Sequence, residues 1–343
     1  MKTFIRRLLP ILLVLLLLSA SVMAEAPYAP GEWPGQKLRN MSKAERGVYE
    51  YNYWRNDIPD DDDSILPKNF RMMTSPFHEF DEYGEGTDID PDAQIDMTGL
   101  DTLPASASGS FNERQFSSMV DAIRAVHDGP IYDIDLRRET HGLMNEHAVT
   151  WYSKYNLYMI ELTDEEADAK AEEFLRKAVG TTQVLYDPDT YPDPSATIPV
   201  EVQTVTTEKE LCEKYGVEYV HIPATDHLWP TDAQIDMFID LVRALPENAW
   251  LHIHCSAGKG RTTTFLALYD MMRNPGVSLQ DIASRQAALG TMYVLNGGNG
   301  SSWHSPYDDE RALMMPYLYE YVQAAHEGGF EMSWSAYRET QGF

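Results

Sequence analysis

The chain has 343 residues, 43% of them hydrophobic and 11% aromatic, which is enough apolar material for a core and unlike a disordered composition. Its length suits one large domain, or one domain with a substantial insertion. A formal charge of −27 repels DNA, RNA and anionic membranes, so nucleic-acid functions are excluded and an anionic substrate would need a locally positive pocket.

Lys2, Arg6 and Arg7 precede the apolar run "LLPILLVLLLLSA", and "SVMA" follows, with small Ala24 before Glu25. Residues 1–24 read as a secretory signal peptide; the alternative, a retained anchor, has a short run for a spanning helix. No cysteine follows the run, so a lipid anchor is not expected. The expectation is an exported chain, periplasmic or secreted, with no stable membrane anchor.

Residues 25–60 read as an N-terminal extension, 61–327 as the main domain and 328–343 as a tail. Residues 25–110 are rich in Pro, Asp, Gly and Tyr and weakly periodic. Their aspartate runs lack a twelve-residue loop with central Gly and closing Glu, so a solvated acidic loop is expected rather than a calcium site. No metal ligand set stands out elsewhere.

From "NERQFSSMVDAIRAVH" onward the pattern sharpens, with Phe116, Met119, Val120, Ile123 and Val126 on one helical face. "PIYDIDL" reads as a strand. "TDEEADAKAEEFLRKA" reads as a helix capped by Thr163. Residues 180–206 alternate β-branched residues with Pro and Asp and predict a small β-rich subdomain. "TTEKELCEKYG" is a helix, "VEYVHIP" a strand, and "TDAQIDMFIDLVRAL" a helix capped by Thr231. "AWLHIHC" is a strand, followed by the helices "RTTTFLALYDMMRN", "SLQDIASRQAAL" and "DDERALMMPYLYEYVQAAH". Strands alternating with helices predict an α/β fold around a mainly parallel sheet flanked by helices.

The stretch "HIHCSAGKGRTTTF" leaves the carboxyl end of a strand and enters a helix, where such folds place ligands. The backbone N–H groups of Ser256, Ala257, Gly258, Lys259 and Gly260 can point inward in a tight turn, with the two glycines supplying the needed φ values. With the helix N-terminus they form an anion site. Arg261 adds a fork that fits two phosphate oxygens. The same field lowers the Cys255 thiol, and a thiolate under a bound phosphoryl group can attack it in line. Thr262 can donate its hydroxyl to the sulfur. Asp226, in "PATDHLWP", follows a strand at the same sheet edge and can protonate the leaving oxygen; a helix cap or a surface aspartate is the alternative. His227 lies beside it. The only other cysteine, Cys212, reads as a small buried residue, with a reversible disulfide to Cys255 as the minority reading.

"HCSAGKGRTT" resembles the signature loop of the protein-tyrosine-phosphatase superfamily. "LPKNFR", "GLDTLPASASGSFNERQF", "IYDIDLRRETHGLMNEHAVTWY" and "TDHLWP" resemble one branch, the bacterial cysteine phytases, over roughly residues 60–325. The resemblance implies Cys255 as nucleophile, Arg261 as phosphate clamp and Asp226 as general acid, with no cofactor and an inositol polyphosphate as substrate. It implies that His227 contacts a neighbouring phosphate and that Asp135, Arg137, Glu139 and His141 line the pocket. Lys68, Arg71 and Arg55 are candidates for outer phosphates. Ser256 and Lys259 depart from the branch; the lysine resembles the loop of inositol lipid phosphatases. The last long helix carries acids where lysines are expected. A phosphotyrosine or inositol-lipid phosphatase, and a non-catalytic phosphate-binding protein, are the competing readings.

Overall fold

A computed structural model describes residues 27–47, 51–59, 62–77, 94–290 and 292–342. The leader at 1–24 and the greater part of the acidic stretch after Phe77 lie outside the described residues.

The strands, in chain order, are β1 (Asn52–Asn56), β2 (Arg71–Met72), β3 (Ala105–Ser108), β4 (Ile131–Asp135), β5 (His141–Met144), β6 (His147–Ser153), β7 (Thr182–Tyr186), β8 (Thr197–Glu201), β9 (Val205–Thr206), β10 (Glu218–His221) and β11 (Trp250–His254). Five form the expected mainly parallel sheet, in the order β10-β4-β11-β3-β2, with only β2 antiparallel. All five residues of β11 are buried, because helices cover both faces of this central strand. On one face Ile253, Ile134 and Ala107 meet Phe238 of the helix Asp232–Ala244 and Phe265 of the helix Gly260–Arg273. On the other, Trp250 and Ile131 meet Phe116, Met119 and Ile123 of the helix Glu113–Arg124 and Leu211 and Cys212 of the helix Glu208–Tyr215. Thr163 and Thr231 cap their helices as predicted, each in a reciprocal capping box.

The second sheet is larger than expected. Its order is β8-β7-β1-β6-β5-β9, so residues 180–206 supply only three of six strands. β1, from the expected extension, sits inside this sheet between β6 and β7. The extension also buries Trp33 in the main core, and the Gly35 amide donates to Glu310 Oε2 at 2.6 Å. The expected tail forms the helix Trp334–Gln341. Trp334 is fully buried there, and its backbone N–H donates to Asp236 at 2.7 Å. Boundaries at 61 and 327 therefore do not separate packing units, because large aromatic side chains on both sides share one core. Among the described residues no helix is long and apolar enough to cross a membrane.

Candidate active site

The loop 255–260 joins β11 to the helix Gly260–Arg273, a helix buried along nearly its whole length. Its shape is imposed from outside. The Ser256 carbonyl accepts from the Ser110 amide and hydroxyl, both at 3.0 Å. The Ala257 carbonyl accepts from Asn69 Nδ2 at 2.7 Å, and the Gly258 carbonyl from Arg71 Nη1 at 2.9 Å. With three successive carbonyls held outward, the N–H groups face the other way. Those of Ser256, Ala257, Gly258 and Lys259 donate to no protein acceptor among the described residues. Gly258 has φ +69, and a Cβ there would lie 2.5 Å from the Ser108 carbonyl carbon, so glycine is required. Lys259 and Ala257 are exposed on the rim.

Cys255 is buried at the base of this cradle. Burial pushes its thiol up, but the Arg261 charge and the hydroxyl and amide of Thr262 outweigh it and leave the thiol below its ordinary range. Thr262 is fully buried, and its Oγ1 has no nitrogen or oxygen partner. Cys212 is a free thiol like Cys255. Burial and the neighbouring Asp133 drive it far upward, which makes it chemically quiet.

Arg261 is clamped by Glu139, with Nη1–Oε2 at 2.8 Å and Nη2–Oε1 at 3.0 Å, and Nη1 also donates to the Ala224 carbonyl at 3.1 Å. Its Nε is buried without a partner, so one edge of the fork remains for an anion. Asp226 Oδ1 lies 3.1 Å from Nη2, and Asn156 Nδ2 donates to Asp226 Oδ2 at 3.0 Å. Burial raises the Asp226 carboxyl and Arg261 lowers it; the net effect is below the ordinary aspartate range.

The resemblance places Asp135, Arg137 and His141 along the pocket; the structure instead puts them behind the clamp. Arg137 is buried and donates to Asp57 Oδ2 at 3.1 Å, Glu139 Oε1 at 3.2 Å and Ser110 Oγ at 3.2 Å. The result is a line of alternating charges, Arg55–Asp57–Arg137–Glu139–Arg261–Asp226, running from the rim to the acid loop. Asp135 is fully buried and accepts from Tyr219 at 2.9 Å and pairs with His141 at 3.0 Å. Arg71, expected on an outer phosphate, is also buried. It props the loop from below, and burial pushes its guanidinium down to about 10. Lys68 is exposed beside the loop, and Arg55 reaches it directly, with Nη2 donating to Ser256 Oγ at 2.9 Å.

Replacing Glu139 with alanine would take one of two carboxylate partners from each of the buried Arg137 and Arg261, leaving Asp57 and Asp226, and breaking a buried pair costs about 3–5 kcal/mol. Urea denaturation of Glu139→Ala is expected to show a loss of that size, and Glu139→Gln a smaller one.

Two carboxylate–histidine clusters share Glu208: Asp133–Glu208–His254 and Asp135–His141–Glu208, each with ligand-capable atoms within 4.8 Å of one another. Sequence reading missed them because their members are spread from 133 to 254. Their groups are already matched to each other, His254 Nε2 lying 2.6 Å from Glu208 Oε1. Burial alone would lower His141, but Asp135 overrides it and holds the ring up to about 10. A raised histidine stabilises the fold below its unfolded pKa of about 6.5. That contribution is lost as pH rises through about 10. Stability measured by urea is therefore expected to decline over this window, and His141→Gln to flatten the decline.

Sequence reading also missed Asp57, Asn156, Trp303 and His304. Trp303 stacks on Tyr155 at 3.7 Å and meets His227 edge-on at 4.9 Å, while His304 stacks on His227 at 5.1 Å. These rings wall the acid loop. No periodic signal marks them, since Trp303 and His304 follow a Gly/Ser/Asn-rich loop.

A strand, a cysteine-based anion loop and a helix carrying the arginine, on a mainly parallel sheet, define a tyrosine-phosphatase-like α/β protein. The protein-tyrosine-phosphatase-like phytase family profile, described by inositol hexakisphosphate, matches residues 134–273. The chain is similar to the tandemly repeated tyrosine-phosphatase-like phytase of Mitsuokella multacida, at 39% identity and TM-score 0.78, covering 84% of this chain and 49% of that one. It is similar to the myo-inositol phosphatase of the same organism in complex with myo-inositol-(1,3,4,5)-tetrakisphosphate, at 39% identity and TM-score 0.74, covering 82% and 48%. It is similar to the phytase of Bdellovibrio bacteriovorus, at 31% identity and TM-score 0.63, covering 83% of this chain and 94% of that one. The chain thus belongs to the tyrosine-phosphatase-like phytase family, although it spans about half the length of the Mitsuokella proteins.

Proposed function

We propose that the chain is an exported, metal-independent phosphatase that hydrolyses phosphomonoesters of myo-inositol polyphosphates through a phosphocysteine intermediate. The observation that carries the reading is the cradle itself: four inward N–H groups, the open edge of Arg261 and the Cys255 thiol at the base. Cys255 Sγ attacks phosphorus as the P–O bond to the ring breaks, and Asp226 gives its proton to the leaving oxygen. Thr262 stabilises the sulfur. Asp226 then takes a proton from water, which attacks phosphorus, the S–P bond breaks, and inorganic phosphate leaves. His227 and Lys259 on the rim, with Lys68 and Arg55 beside the loop, supply positive or donor groups to a multiply charged ester. Similarity to a protein that binds an inositol tetrakisphosphate supports the substrate class. Export rests on the leader at 1–24.

The test is phosphate release from inositol hexakisphosphate in EDTA at mildly acidic pH, wild type beside Cys255→Ser, with products resolved by ion exchange. Release by wild type alone, with lower inositol phosphates appearing in order, supports the reading. Turnover of an aryl phosphate alone would reassign the pocket to another ester.

A further inference from the structure

β1 presents two different faces. Trp54 points into the apolar core of the second sheet with Val149, Leu185 and Val200. Tyr53 and Arg55 share the opposite face by the period of two, with Tyr51 just before them, and Arg55 reaches the catalytic loop. Register places Tyr152 beside Tyr53 and Tyr186 beside Arg55. Tyr191, from the turn after β7, closes the group by stacking on Tyr53 at 4.2 Å with rings parallel to 1°. Five tyrosines and no phenylalanine thus occupy one face. A second hydrophobic core would not need five hydroxyls, and this sheet's core lies on its other side.

The face is joined to the catalytic loop. Arg55 lies over the Tyr152 ring at 4.9 Å and donates to Ser256 Oγ at 2.9 Å, next to the nucleophile. The field of Asp226 also reaches Tyr152. Tyr191 is exposed, and the hydroxyls of Tyr152 and Tyr191 donate to no group among the described residues.

We propose that this tyrosine face is the subsite that holds the ring and outer phosphates of the substrate, with the hydroxyls of Tyr152 and Tyr191 donating to phosphate oxygens. This deepens, and rests on, the inositol polyphosphate reading above. Neutral donors can serve where the chain lacks cations: the last long helix offers Asp308, Asp309 and Glu310 in its first turns rather than lysines. Burial holds the Tyr152 hydroxyl up to about 12, so it stays a donor across the working pH range. The flat rings can also cover the carbon face of a cyclitol.

The experiment compares kcat/KM for inositol hexakisphosphate and for 4-nitrophenyl phosphate, which is too small to span the face. It uses the full chain as wild type and as Tyr152→Phe/Tyr191→Phe, which keeps both rings and the cation–π contact. The ratio of the two kcat/KM values is expected to fall about tenfold, through KM for the inositol ester, on the loss of hydrogen bonds to charged groups. An unchanged ratio, with wild type turning over the inositol ester, would overturn the subsite and leave the function standing. An equal fall on both substrates, with a lowered urea midpoint, would make the face structural only and also overturn it. If wild type releases phosphate only from the aryl ester, both readings fall together.

Discussion

Phosphate release by Cys255→Ser is expected to drop at least about 10⁴-fold, the scale on which removing an enzyme's nucleophile acts. The physical reason lies in what the site does to a thiol and cannot do to an alcohol. Burial opposes ionisation of Cys255, but the charge of Arg261 and two donors from Thr262 leave the thiol below its ordinary range. A serine hydroxyl starts so much higher that the same field leaves it protonated. The cradle is untouched by the change, since its carbonyls are held by Ser110, Asn69 and Arg71. The variant should therefore still bind substrate, and isothermal titration should give an affinity close to the wild-type KM. Turnover above about a hundredth of wild type would remove Cys255 from the reaction.

Asp226→Asn is expected to lower kcat on an inositol phosphate by about 10²–10³-fold and on 4-nitrophenyl phosphate far less, because a nitrophenolate departs without a proton and an alkoxide does not. Without substrate, Asp226 sits 3.1 Å from Arg261, which holds its carboxyl low and ionised at neutral pH. A phosphate dianion bound at the unpartnered Nε of Arg261 would compete with Asp226 for the guanidinium and add negative charge beside it. Both effects would raise the carboxyl and favour the acid form as the substrate binds. Activity on alkyl phosphates should then favour the acid side and fall as pH rises. Asp226→Asn should flatten that fall, and the pH–rate profiles of the two proteins on both substrates check it. Equal losses on both esters would make Asp226 a positioning group for Arg261 instead.

The parts of the site that lie within one chain segment were legible in the sequence. The loop from Cys255 to Thr262 was, because a buried strand, two glycines and a helix start are local features. The parallel strands and the helices capped by Thr163 and Thr231 were legible for the same reason. What failed was the side of the loop on which a distant residue would stand. Arg71 and Arg137 are cations that the fold brings close to the anion loop, yet one props the loop from beneath and the other orients Glu139. Sequence supplies their charge and not their direction. β1 was hidden because its partners, β6 and β7, begin about 90 and 130 residues later. Trp303 and His304 were hidden likewise, since their contact with His227 spans the last helices of the core.

The line of charges from Arg55 to Asp226 draws on four separated stretches of chain. Before those stretches meet, Cys255 is an ordinary thiol, mostly protonated and slow toward oxidants. The lowering of the thiol comes from Arg261 and Thr262 held against the sulfur, and Glu139, oriented by Arg137, fixes Arg261 there, so it is a product of folding. If the chain is exported unfolded, as proposed, both cysteines would travel as ordinary thiols, and folding would then set them apart, lowering Cys255 and raising Cys212.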